Sequence, residues 1–300
     1  MTIKKTAQLT GHNAGIYALS PSFAAHSFLS AAGDGWVVEW DLNNPDLGRL
    51  LAKVETKIFS LCLLEDEKMV VAGNMDGGIH WVDLQQPENT KNIDHHKKGI
   101  YDIKRVGDLL YTAGGEGKLT RWSIPEMRTV ESYHLANQSL RCLAFSETRN
   151  ELAVGASDNC IYFLDATTLE LKKRIADAHE NSVFSIHYSP DEKRLLSGGR
   201  DAHLNVWDLQ NGFAKISSQP AHWFTINSIV FHPKGHLFAT GSRDKTIKIW
   251  DAQTYNLLKV LELNRDGGHL NSVNKLLWHP HQNLLISSSD DRTIILWAER

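Results

Sequence analysis

Short apolar segments recur along the chain, each bounded by small, polar, Pro- or Gly-containing residues. One kind ends in small residues just before an acid, as in FLSAAGD, LLSGGRD, LFATGSRD and LLISSSDD. A second alternates apolar and polar positions into a Trp, as in KTIKIWD and TIILWAE. A third, such as NLLKVLEL, follows polar turns like those at NNPDLG, QQPEN and QNG. A period of two, β-branched residues and turn punctuation every roughly 8–12 residues predict short β-strands. No window sustains the rhythm of an amphipathic helix. The chain reads as all-β.

These segments form a repeat. An acid is followed six positions later by Trp or a large apolar residue at Asp34/Trp40, Asp76/Val82, Glu116/Trp122, Asp158/Leu164, Asp201/Trp207, Asp244/Trp250 and Asp291/Trp297. The acids are 42, 40, 42, 43, 43 and 47 residues apart. Seven units result, at approximately 5–42, 49–84, 89–124, 128–166, 170–209, 213–252 and 256–298. Four strands per unit at this period predict antiparallel propeller blades, and the whole of 1–300 one seven-bladed β-propeller domain.

A second marker accompanies the acid. His12, His179, His222 and His269 each precede their acid by 22 residues, and His96 precedes Glu116 by 20. In the same five copies Ser30, Thr112, Ser197, Thr240 and Ser287 stand four residues before it. On this GH…D…WD pattern the whole chain resembles the WD-repeat β-propeller family. The resemblance implies that His, Ser or Thr, acid and Trp form hydrogen-bonded structural tetrads: His12–Ser30–Asp34–Trp40, His96–Thr112–Glu116–Trp122, His179–Ser197–Asp201–Trp207, His222–Thr240–Asp244–Trp250 and His269–Ser287–Asp291–Trp297. The second and fourth copies depart, with Val54 and Ala136, Ala72 and Val154, and Val82 and Leu164 at the His, hydroxyl and Trp positions. Those blades are expected to pack by apolar contacts alone. The last repeat has three strand segments, so residues around 4–10 are expected to pair as its outer strand, an overlapping closure that the family resemblance also implies.

A His–Asp–Ser set invites thoughts of nucleophilic catalysis, but a protein does not need five copies of one active site. The remaining chemistry lies at positions that the resemblance implies face partners around a channel mouth: three and five residues after the His, and just before the acid. The fifth-residue position holds Tyr17, Phe59, Tyr101, Arg141, Phe184, Asn227 and Asn274. The pre-acid position holds Met75, Arg200, Arg243 and Asp290 among smaller residues, and Lys57 stands out at the third. Aromatic and Arg side chains are the types enriched at interface hot spots. Arg141, Arg200 and Arg243, from successive repeats, are expected to form a basic arc that receives an acidic or phosphorylated peptide.

Composition trims the alternatives. The formal charge of −3 argues against a general grip on nucleic acid, which leaves RNA contact through the arc as a minor alternative. An enzyme or small-ligand site in the channel mouth is the other, with Asp102 and Asp290 the only acids outside the tetrads to consider. Asp94-His95-His96 and His279-Pro280-His281 resemble metal ligands, but His96 has a tetrad role and His279 repeats the turn at His232-Pro233. No metal or cofactor is expected. Cys62, Cys142 and Cys160 have no paired spacing and are expected to be buried apolar groups. The first residues lack a signal-like apolar run, and no stretch approaches a membrane span. The expectation is a cytoplasmic (or nuclear), non-catalytic scaffold, a monomeric ring within a larger complex. The Asn264–Gly268 segment before the last repeat is expected to aid binding or to be a tolerated insertion.

Overall fold

A computed structural model describes residues 2–299. Its strands form seven four-stranded antiparallel sheets, the blades of an all-β propeller. Blades 1 to 6 are consecutive in sequence, beginning at Ile16, Ile58, Ile100, Leu140, Val183 and Ile226. Blade 7 combines Val273–Trp278, Leu284–Ser289 and Thr293–Glu299 with the N-terminal strand Ile3–Thr10. That strand pairs along Thr293–Glu299 from Ile3 opposite Glu299 to Thr10 opposite Thr293. The overlapping closure expected from the sequence is present. Ile3 and Leu9 anchor it, being almost wholly buried.

The alternation seen in the sequence has a limited reach. The second strands, such as Ser27–Ala32, Met69–Asn74, Glu151–Ala156 and Leu237–Ser242, are buried at every position. Both their faces are covered, so small and apolar residues succeed one another without a polar side. The outermost strands are the reverse, with Arg128–His134 and Leu171–Ile175 largely exposed. No helix among the described residues is long and apolar enough to cross a membrane.

The chain divides into two compact units. The first holds Met1–Ala72, Val82–Thr90 and Asn227–Arg300, and the second Gly73–Trp81 and Lys91–Ile226. In the first, one core gathers Ile3, Leu237, Ile249, Leu285 and Trp297, and another Leu9, Phe28, Trp40, Ile286 and Ile294. In the second, Tyr111, Leu140, Leu152 and Leu164 form one cluster, and Phe163, Val183, Tyr188 and Trp207 another.

Four blades show the same polar chain. In blade 1 the Trp40 indole N–H lies 2.8 Å from Ser30 Oγ, which is 2.7 Å from His12 Nε2, and His12 Nδ1 is 3.0 Å from Asp34. Blades 3, 5 and 7 repeat it through Trp122–Thr112–His96–Glu116, Trp207–Ser197–His179–Asp201 and Trp297–Ser287–His269–Asp291. Every proton has one place to go. The indole donates to the hydroxyl oxygen, the hydroxyl donates to Nε2, and Nδ1–H donates to the carboxylate. Burial holds His12 below its ordinary pKa despite the facing Asp34. At Asp291 burial pulls the other way, but the His269 hydrogen bond and charge outweigh it and keep the carboxyl far below its usual range. In blade 6 the Trp250 indole donates to Thr240, and His222 is buried.

Blades 2 and 4 do not pack by apolar contacts alone. In blade 2 His80 bridges Asn74 at 2.9 Å and Asn92 at 2.6 Å, and Asn74 Oδ1 accepts the N–H groups of Asp76 and Gly78. In blade 4 the Tyr162 hydroxyl donates to Asp158 at 2.5 Å, and Arg174 reaches Cys160 Sγ at 3.1 Å. Where the His and Trp are absent, the turn N–H groups and an acid still require partners, and nearby polar residues supply them. Cys160 is thus a buried acceptor for a guanidinium rather than a plain apolar group, and Cys62 is only half-buried.

Candidate functional site

In each of five blades the first strand carries a bulge one residue after it begins. Ile16 pairs with Ala32 and Ala18 with Ala31, which leaves Tyr17 without a ladder partner. The same skip falls at Tyr101, Arg141, Phe184 and Asn274. A bulge turns its extra residue out of the pleat, and such positions commonly re-aim side chains at functional sites. All seven fifth-residue positions, including Phe59 and Asn227, are half-buried.

The second unit assembles three of these residues around one cation. The Arg141 guanidinium lies 4.3 Å from the Tyr101 ring centroid and 5.0 Å from that of Phe184. Its Nε is 2.9 Å from Ser157 Oγ, the residue before Asp158. Stacking on two rings fixes the plane of the guanidinium, and the bond to Ser157 fixes its rotation. No carboxylate pairs with Arg141 among the described residues. What remains is a held fork of N–H donors suited to a carboxylate or phosphate. Arg200 is exposed in the same unit, as is Met75. Asp102 accepts the N–H groups of Leu143, at 2.8 Å, and Ile103, so it stitches strands rather than standing ready as a base.

The first unit treats the equivalent positions differently. Tyr17 and Phe59 meet edge to face at 5.4 Å. Burial raises the Tyr17 hydroxyl above its usual pKa, helped by the charge and hydrogen bond of Asp290. Asp290 also accepts Asn274 Nδ2 at 2.8 Å. Asn274 and Asn227 donate onward to backbone of the following blade, at Ile16 O and Val273 O. Lys57 and Arg243 are exposed. Here the polar groups answer one another.

Two features were not read from the sequence. Trp223 and Phe224, one and two residues after His222, are 85% and 58% exposed. The signal is in the sequence: other copies carry polar pairs there, such as Lys97-Lys98 and Glu180-Asn181. The second feature is a trio, His232, His236 and Glu299, whose ligand atoms lie within 4.8 Å of one another. The Lys234 N–H points into His232 Nδ1 at 2.9 Å, so the neutral ring carries its proton on Nε2, toward Asn283 Oδ1. A metal-bound imidazole keeps the opposite tautomer, with its second nitrogen donating. The donor set does not fit a metal. His279 repeats the arrangement, with Nδ1 accepting from His281 N and Nε2 donating to Ser27 O at 3.1 Å. A polar cleft of about 360 Å³ beside His179, Asp201 and Lys215 offers no separate nucleophile and base, since Asp201 is bonded to His179 and Lys215 reaches Ala178 O. The insertion before blade 7 forms one helical turn, Leu263–Asp266, and Gly267 O accepts Lys5 Nζ at 2.8 Å. It clips the N-terminal strand.

Comparison with known proteins places this geometry. The sequence profile described as "WD domain, G-beta repeat" matches residues 3–41, 171–208, 213–251 and 257–298. The chain belongs to the WD40-repeat family. Among curated relatives, Transcription factor unc-37 of Caenorhabditis elegans is 27% identical over 59% of this chain, and Protein groucho of Drosophila melanogaster 26% over 60%. Protein SPA1-RELATED 4 of Arabidopsis thaliana is 24% identical over 52%. The matched segments span only 29%, 25% and 20% of those proteins. Among solved structures, the WD40 β-propeller domain of Doa1 covers 100% of the chain with a TM-score of 0.87 at 17% identity, which shows the fold.

Proposed function

We propose that this WD40 chain is a non-catalytic protein-interaction scaffold that captures an acidic or phosphorylated peptide, with Arg141 as its anchoring cation. The carrying observation is the Tyr101–Arg141–Phe184 stack, a bulge-borne guanidinium held by two rings and Ser157 with no acidic partner among the described residues. Holding the fork in place before binding lowers the entropic cost of recognition. Arg200 and Met75 are further exposed residues of the same unit, and Lys57 and Arg243 are the exposed counterparts in the other. Similarity to a transcription factor favours assembly of proteins over turnover of a substrate. The role belongs to the cytoplasm or nucleus, where three free cysteines stay reduced.

Affinity capture tests it, comparing the wild-type chain with a Tyr101→Ala/Arg141→Ala/Arg200→Ala variant of unchanged melting temperature. Partners retained by the wild type and lost by the variant are expected. Identical partner sets from the two would remove this site from consideration. Binding abolished by ribonuclease and falling steeply with salt would transfer the surface to RNA.

A further inference from the structure

The most exposed large apolar side chain of the described residues is Trp223, beside the half-exposed ring of Phe224. A Trp of this exposure is uncommon, because an indole buries 150–250 Å² of surface when covered (roughly, for an aromatic side chain). The pair does not lie on a floppy tip. Ala221 N and His222 N donate to Ala202 O at 3.0 and 3.2 Å, which ties the segment to the turn that carries Arg200. On its other side that turn is bonded to the Glu180–Ser182 segment, with Arg200 N donating to Ser182 O at 2.9 Å. The segment that carries the two aromatic rings is therefore hydrogen-bonded to the turn that carries an exposed cation with no ion pair among the described residues.

We infer that Trp223 and Phe224, with Arg200, form an anchor for a linear peptide of a partner protein in which a bulky apolar residue lies beside an acidic one. The inference rests on the scaffold reading above and adds a second subsite to it. The aromatic pair supplies apolar area at the small entropic cost of side chains with two torsions, and Arg200 selects for Asp or Glu. A second copy of this chain is disfavoured, since a two-fold contact on this surface would bring Arg200 toward its own twin. An anionic lipid surface is disfavoured by the exposed Glu180 on the flanking turn. A peptide can thread its charge to one side; a membrane cannot.

The test pans a random linear peptide library against the full chain, then measures affinity of an enriched synthetic peptide. Peptides pairing an aliphatic or aromatic residue with Asp or Glu are expected. Trp223→Ser is expected to weaken the peptide at least tenfold, Phe224→Ser and Arg200→Ala several-fold, all with unchanged melting curves. Enrichment of basic peptides, no enrichment, or an affinity indifferent to Trp223→Ser would overturn the inference. So would Trp223-dependent dimerisation in sedimentation, or Trp223-dependent binding to phosphatidylglycerol vesicles in place of peptide. The two readings separate cleanly. Binding lost in Arg141→Ala but kept in Trp223→Ser retains the scaffold site and rejects this anchor; the opposite pattern retains the anchor and rejects Arg141.

Discussion

The two compact units use the same positions of the repeat for opposite ends. In the second, the bulge residue Arg141 is stacked between Tyr101 and Phe184 and keeps its guanidinium free of carboxylates. In the first, Tyr17, Asn274 and Asp290 bond to one another, and Asn227 is spent on the backbone of the next blade. Both arrangements are held by the same kind of Trp–hydroxyl–His–acid chain. The lesson is that a repeat scaffold separates what holds it from what it recognises. The units should respond alike when the scaffold is damaged and unlike when the surface is changed.

The largest effect should come from removing residues 2–10. This strips the outer strand of blade 7 and uncovers core around Ile3 and Leu9, at a cost of more than about 5 kcal/mol for two large buried residues and a strand. Thermal melting checks it, and an unshifted transition would mean that the strand does not hold blade 7. Next, Asp201→Ala and Asp291→Ala, one per unit, should each cost about 2–3 kcal/mol by stranding a buried imidazole. Chemical denaturation of the two variants should agree; a large disparity would break the claim that the units share one means of support.

Recognition should then divide them. Arg141→Ala is expected to weaken an acidic peptide by ten- to a hundredfold, roughly 1.4–2.7 kcal/mol. Asp290→Asn should change that affinity less than twofold. Calorimetric titration settles the matter, and equal losses would erase the contrast between the units.

Acidification should produce a smaller, graded effect. Burial keeps the folded pKa of His12, His232 and His279 below the ordinary histidine value. Below about 6.5 the unfolded chain binds those protons and the folded one resists them. Their contribution is fully present above that pH and is lost as the pH falls through the folded values. A second loss begins near pH 4, where the unfolded counterparts of Glu116, Asp201 and Asp291, all lowered in the fold, take up protons. Melting temperature measured from pH 8 to 3 should therefore fall in two stages, and a flat profile between 7 and 5 would refute the histidine part. Smallest of all, Lys5→Met should cost under about 1 kcal/mol, since the part-buried Lys5–Gly267 bond only clips the strand.

Much of the fold was legible in the chain. The forty-odd-residue spacing, the punctuated strands and the His, hydroxyl, acid and Trp offsets follow from local chemistry repeated at a fixed period. Turn geometry was partly legible too. Gly117 follows its acid at a φ of +87°, and a Cβ there would sit 1.8 Å from Ala136 O, so that turn requires glycine. At the same position blade 5 uses Ala202, also at positive φ, and nothing in residue type announces it.

Other features depended on how the folded chain distributes its donors and acceptors. Asn74, His80 and Asn92 replace the missing tetrad of blade 2, yet no motif links them, because their use follows from which donors the turn leaves unsatisfied. Arg141 and Arg200 look alike in sequence. One is clamped by rings from two other blades and the other is exposed. By itself the sequence determined the all-β repeat and the blade count, which need only apolar alternation and partners recurring at fixed offsets, and it implied the closing strand because the last repeat supplies only three strands. Tertiary structure alone decided which polar side chains pair with acids or backbone and which, like Arg141 and Arg200, have no ion pair among the described residues, and it left Trp223 and Phe224 exposed. That balance between burial and bonding is set around Arg141 by residues from 16 positions away, as for Ser157, to forty or more, as for Tyr101 and Phe184.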